Sequence, residues 1–120
     1  MQPTNDYTGI IHHAYEAFNK REVDKVLSYM NPDVHWSNGW EGGYVIGHDA
    51  VKDYWARQWK ELNPIVVPVS TDQRNEHEME VTVHQVVKDM QGNLLFDGIV
   101  KHVYIFKDGK IQSMEIENKN

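Results

Sequence analysis

The sequence predicts an α+β domain, and three observations carry that prediction. Apolar residues recur at helical spacing through the first half, and the period changes to two from Ile65 onward. Two glycine-containing turns, "DMQGN" and "KDGK", then divide the second half into strands. At 120 residues the chain has room for one core and not for two.

Asn5 or Asp6 can cap a first helix whose stripe is Ile10, Ile11, Ala14, Tyr15 and Phe18. "REVDKVLSYM" supplies a second helix with Val23, Val26, Leu27 and Met30 inward, joined to the first near Lys20 and Arg21 and ended by "NPD". The stretch "VHWSNGW", Val34 to Trp40, reads as a first strand in which Val34, Trp36 and Asn38 share one face and His35 and Ser37 the other. An amide therefore stands among apolar side chains. The glycines of "EGGYVIG" suit a loop or tight hairpin. A third helix, capped by Asp49, carries Val51, Tyr54, Trp55, Trp59 and Leu62 until Pro64 stops it. Strands are expected near 65–74, 77–88, 94–106 and 110–117.

Each late turn places glycine third in a short loop, which suits a type I turn with a glycine bulge. Asp89 then pairs with Asn93, and Phe106 with Lys110. One face holds Thr82, His84, Val86, Phe96, Gly98, Val100, His102, Tyr104, Met114 and Ile116. The other holds Val81, Val83, Ile99, Val103, Ile105 and Ile111, broken mainly by Gln85, Asp97 and Lys101. That second face is apolar enough to predict a homodimer packed sheet against sheet.

Composition narrows the chemistry. No cysteine is present, so disulfides, thiolate nucleophiles and sulfur-ligated zinc are excluded. A formal charge of −6, without a Lys/Arg cluster, argues against a nucleic-acid surface. No apolar run is long enough for a membrane span, and no signal-peptide pattern opens the sequence, so a cytoplasmic protein is expected. Seven histidines invite a metal reading, yet "EHEMEVTVH" lacks the helical H-E-x-x-H spacing, and no metal is expected.

The order of two helices, a short strand, a glycine-rich loop, "GHDAVKDYWARQW" and long strands ending in "FKDGKIQSMEI" resembles the nuclear transport factor 2-like superfamily. Within it the chain resembles the SnoaL-like polyketide cyclase and ketosteroid isomerase branch, from about His13 to Ile116. The resemblance implies a cystatin-like cone, a strongly curved sheet wrapped around about three helices with a pocket at its open end. It also implies dimers formed through the outer sheet face. The fold serves enzymes and binding domains alike.

Ketosteroid isomerases use a tyrosine on the first helix, a base aspartate after the first strand and an aspartic acid on a late strand. Those positions fall here on Ala14, with Tyr15 adjacent, on Asn38, and on His102 if "KDGK" is one residue short, otherwise on Lys101. An amide cannot take a proton, so steroid isomerase activity is not expected.

His102 and His84, placed on one pocket-facing surface, are the candidate general acid and base. Asn38, Tyr15 and Tyr104 are candidate donors to a ligand oxygen. Trp36, Trp55 and Trp59, with Met114, are candidate walls for a small apolar or aromatic ligand, although Trp55 and Trp59 also suit core packing. Trp40 suits a lid or a dimer contact. His48 beside Asp49 is read as a helix start rather than a dyad, and Asp97 and Arg74 as charges near the pocket. Two functions follow: a cofactor-independent isomerase, cyclase or lyase acting on a cyclic or carbonyl compound, or a non-catalytic ligand-binding or dimerisation domain.

Overall fold

The computed structural model describes residues 7–39 and 41–117. In chain order the elements are α1 (Thr8–Asn19), α2 (Val23–Leu27), β1 (Met30–Ser37), β2 (Tyr44–Ile46), α3 (His48–Glu61), β3 (Leu62–Gln73), β4 (Glu78–Asp89), β5 (Leu94–Lys107) and β6 (Lys110–Glu117). Among the described residues they form one curved, unclosed sheet in the order β2-β1-β6-β5-β4-β3, with the helices packed on its inner face. Only the β1–β6 pair is parallel. The fold is α+β, as the change of period predicts.

Local chemistry sets the boundaries, and some differ from expectation. The caps read at Asn5 and Asp6 lie outside the described residues. "NPD" does not end a helix: α2 stops at Leu27, and Pro32 lies inside β1. Pro32 sits where pairing to β6 is interrupted between Met30 and His35, so its missing N–H breaks no regular ladder. Helix α3 begins at His48 rather than being capped by Asp49. Gly47 holds the cap position at φ +94°, a conformation that favours glycine, while His48 Nε2 donates to the Met30 carbonyl at 3.0 Å.

Helix α1 is fastened to the edge of the sheet by one side chain. Asn19 Nδ2 donates to the Val66 carbonyl (2.8 Å), and the Val66 N–H donates to Asn19 Oδ1 (2.9 Å). The amide thereby satisfies both backbone groups that edge strand β3 turns away from β4 at this point.

Two bulges decide which residues face the helices. "DMQGN" closes as expected, with the Asp89 N–H donating to the Asn93 carbonyl at 2.9 Å and Lys88 opposite Leu94. The next pair is Val87 with Phe96, which leaves Leu95 as an extra residue on β5. Most of β4 is turned over relative to the expected register. Val81 and Val83, read as outer, face inward and are wholly buried, while Thr82, His84 and Val86 face outward.

"KDGK" forms a two-residue turn, Lys107 opposite Lys110, with Asp108 at φ +55° and Gly109 at φ +80°. A bulge between Ile105 and Phe106 follows, so that Tyr104 is opposite Met114 and His102 opposite Ile116, two residues from the expected register but on one shared face as expected. Ile111, read as outer, is opposite Phe106 and buried in the core.

The outer face is therefore more mixed than the sequence reading made it. Val67 and Ile99 are well exposed there, but Glu80, Lys101 and Arg74 share the face, with Lys101 Nζ 3.0 Å from Glu80 and Arg74 paired to Glu78 and Glu80. Among the described residues, no helix is long and apolar enough to cross a membrane.

Candidate functional site

A cavity of about 340 Å³ lies between the helices and the concave face of the sheet. Its walls come from the elements the core pattern brings together: Ala14, Tyr15 and Phe18 of α1, Trp36 of β1, Tyr54, Trp55 and Gln58 of α3, and Val66, Gln85, Val87, Phe96, Val100, His102, Tyr104, Met114 and Ile116 of the sheet. Among the described residues, no Asp, Glu, Lys or Arg side chain lines the cavity. Such a wall favours a neutral, largely apolar occupant.

Three polar groups stand together on this wall. Tyr104 donates from its hydroxyl to the Tyr15 hydroxyl at 2.7 Å, and the Tyr15 hydroxyl lies 2.7 Å from His102 Nδ1. Helical spacing puts Tyr15 on the buried stripe of α1, and strand alternation puts His102 and Tyr104 on the same face of β5. All three are buried, at 6%, 8% and 2% exposure.

The donor order follows from the inventory. The Tyr15 oxygen accepts from Tyr104, and among the described residues Nδ1 is the acceptor its own hydrogen can reach, so the pairing that satisfies both groups puts the ring proton of neutral His102 on Nε2. Nε2 has no hydrogen-bond partner among the described residues. Burial lowers the His102 pKa to about 4, so the ring is neutral at pH 7. Burial, with each other's proximity, also raises the Tyr15 hydroxyl well above its ordinary value, and burial raises Tyr104. The trio is thus an uncharged relay ending in an N–H donor.

The aromatic wall is continuous. Trp36 meets Trp55 edge-on at 5.4 Å and Tyr104 at 6.3 Å, while Trp55 contacts Phe18 at 5.2 Å and Trp59 at 5.8 Å. Trp59 packs behind Trp55 and does not line the cavity; Arg21 lies over its ring at 5.0 Å.

Asn38 is buried with Val34 and Trp36, as strand alternation predicts. Its Oδ1 is enclosed without a partner among the described residues, and the neighbouring Gly39, rather than Asn38, is part of the cavity wall. Its backbone closes the β1–β2 connection, where Asn38 N–H donates to Gly43 (2.9 Å) and Gly42 N–H to Asn38 (2.8 Å).

His84 is not brought to the cavity. The Leu95 bulge places it on the outer face, where Nε2 lies 2.6 Å from Asp97 Oδ1, and both side chains are about half exposed. Asp97 and Arg74, read as charges near the pocket, also lie outside it. Trp40 lies outside the described residues. Among the described residues, no group of three or more His, Asp or Glu side chains is arranged to hold a metal ion.

Sequence reasoning passed over Gln58, Gln85 and Gly39. Gln58 was legible, being four residues after Tyr54 and three after Trp55 on the same helical face.

Residues 11–114 match the family model of a SnoaL-like domain. Comparison with curated proteins yields no match. An NTF2-like protein of unknown function from Burkholderia pseudomallei superposes with a TM-score of 0.83 at 22% identity, over 98% of this chain and 92% of its own. TerC, co-crystallised with polyporic acid, gives 0.81 at 24% identity over 92% and 89%. A Mycobacterium tuberculosis protein in complex with estradiol-17β-hemisuccinate gives 0.82 at 13% identity over 98% and 95%.

Proposed function

Given that this chain belongs to the SnoaL-like domain family of the NTF2-like superfamily, we propose that it is a small-molecule-binding protein whose cavity holds an uncharged cyclic or aromatic compound by one oxygen. The observation that carries this reading is the Tyr104–Tyr15–His102 relay, which presents the His102 Nε2–H in an apolar, charge-free wall. A donor left unpaired in such a wall costs about 1–3 kcal/mol, which an accepting ligand oxygen offsets. Trp36, Trp55 and Met114 supply the faces on which a ring stacks, with Tyr15 and Tyr104 behind the donor. TerC and the Mycobacterium tuberculosis protein, of the same fold, are crystallised with organic ligands, which supports a cavity of this use.

A catalytic role is the second reading, favoured by the aim of the same N–H. A neutral imidazole donor polarises a carbonyl and stabilises the enolate formed from it, without cofactor or metal, as an isomerase, cyclase or lyase requires. Among the described residues no carboxylate lines the cavity to take a proton, so these residues supply the electrophile and not the base. His102 acts here as a donor.

The reading includes a homodimer through the outer sheet face, supported by the exposure of Val67 and Ile99. Titration calorimetry with biphenyl and 4-phenylphenol tests the cavity. The hydroxyl is expected to tighten binding in the parent protein and not in His102→Phe. Equal affinity of both compounds for the parent protein contradicts the reading.

A further inference from the structure

The cavity has a second polar station. Gln85 projects from the inner face of β4, opposite Gly98 of β5 and Val66 of β3, and its cavity-lining neighbours Val66, Val87 and Phe96 are apolar. Gln58 also lines the cavity, from α3, one turn before that helix runs into β3 at Leu62, whose own partner is Asp89 beside the β4–β5 turn. Both glutamines are partly buried, and neither amide has a hydrogen-bond partner among the described residues. An amide offers two donors and an acceptor, so each amide can bond an oxygen of either kind.

Register gives the separation. His102 is opposite Val81, and Gln85 stands four residues along β4 from Val81. At about 3.3 Å per residue the two levels are about 13 Å apart along the strand. Between them the lining is Val100 and the aromatic wall, while Val87 and Phe96 line the cavity just beyond Gln85, the ring of Phe96 lying across Gly98, where a Cβ would meet it at 3.0 Å. The inner end is closed by buried Tyr104 and Phe106, and the Gln85 end leads to the exposed Phe96.

Resting on the binding reading above, the geometry points to an elongated ligand with two polar ends: an accepting oxygen at His102 and a second hydroxyl, carbonyl or amide group held by Gln85 and Gln58, joined by a flat apolar ring system. Gln85 and Gln58 are then specificity-determining residues that select length and the second polar group. A compound with one oxygen fills the inner end only.

Titration calorimetry with 4-phenylphenol and 4,4′-dihydroxybiphenyl tests this on the parent protein, on Gln85→Leu and on Gln58→Leu. The second hydroxyl is expected to tighten binding about fivefold in the parent, the worth of one hydrogen bond. That gain, the ratio of the two affinities on one protein, is expected to fall away in Gln85→Leu and to shrink in Gln58→Leu. Comparing two probes on one variant separates this effect from any change in folding. If 4-phenylphenol binds but the second hydroxyl adds nothing, or adds as much in both leucine variants, the two-ended ligand is refuted and the binding reading stands. If neither compound binds the parent protein, both fall.

Discussion

The Tyr15 hydroxyl lies 2.7 Å from Nδ1 of His102, joining residues 87 positions apart across the boundary between α1 and β5. With the Tyr15 hydroxyl as donor, this contact puts the imidazole proton on Nε2 and so sets which nitrogen donates. Tyr15→Phe leaves Nδ1 buried without its donor, and a loss of about 1–3 kcal/mol is expected in denaturant unfolding. Tyr104→Phe removes only a donor to Tyr15, and a smaller loss of about 0.5–1.5 kcal/mol is expected. Equal stability of Tyr15→Phe and the parent protein rules out the relay.

His102 also links stability to pH. Its folded pKa is lowered to about 4 by burial, while the unfolded ring titrates near its ordinary value of 6.5. Between these values the unfolded chain binds the proton and the folded one does not, so the contribution is full above about pH 6.5 and lost as pH falls toward 4. The loss is about 3 kcal/mol over that window. His102→Gln, whose amide can still accept from Tyr15, is expected to flatten this part of the profile. An unchanged slope in that variant contradicts the assignment.

Asn19 positions α1, and hence Tyr15, by its paired bonds to Val66. Asn19→Ala strips both backbone partners at an edge strand, and a loss of about 1–3 kcal/mol is expected. Amide exchange at Val66 is expected to quicken beyond that of its β3 neighbours, which a general loss of stability does not produce.

The outer face yields a test of assembly. Ile99 is 60% exposed beside His84 and Val67, so a charge there costs the lone chain little and opposes a sheet-to-sheet contact. The parent protein is expected to sediment as a dimer at micromolar concentration and Ile99→Glu as a monomer with unchanged helix content. A monomeric parent refutes the dimer.

The course of the chain was legible because its signals are local. Helical stripes and glycine turns mark α1, α3 and the β4–β5 and β5–β6 hairpins, and Val34, Trp36 and Asn38 are buried together as alternation requires. The facing of β4 was not legible. Val81, Val83, Val86 and Val87 occupy both parities, so neither face is marked by polarity, and the Leu95 bulge lies in a run of apolar residues without glycine or proline. That one extra residue separates His84 from His102 and brings Gln85 into the cavity. His102 keeps the expected face relative to Met114 and Ile116 only because two departures add to an even shift: the "KDGK" loop is one residue shorter than expected, and the bulge at Gln112 moves the pairing by one more.

The account rests on His102 being a neutral Nε2–H donor inside the cavity. Long-range nitrogen–proton NMR correlation of the histidine rings, followed from pH 8 to 4.5, measures that directly. The account predicts a His102 ring in the Nε2–H tautomer that stays neutral down to about pH 5. A ring that titrates near 6.5, or that carries its proton on Nδ1, contradicts it.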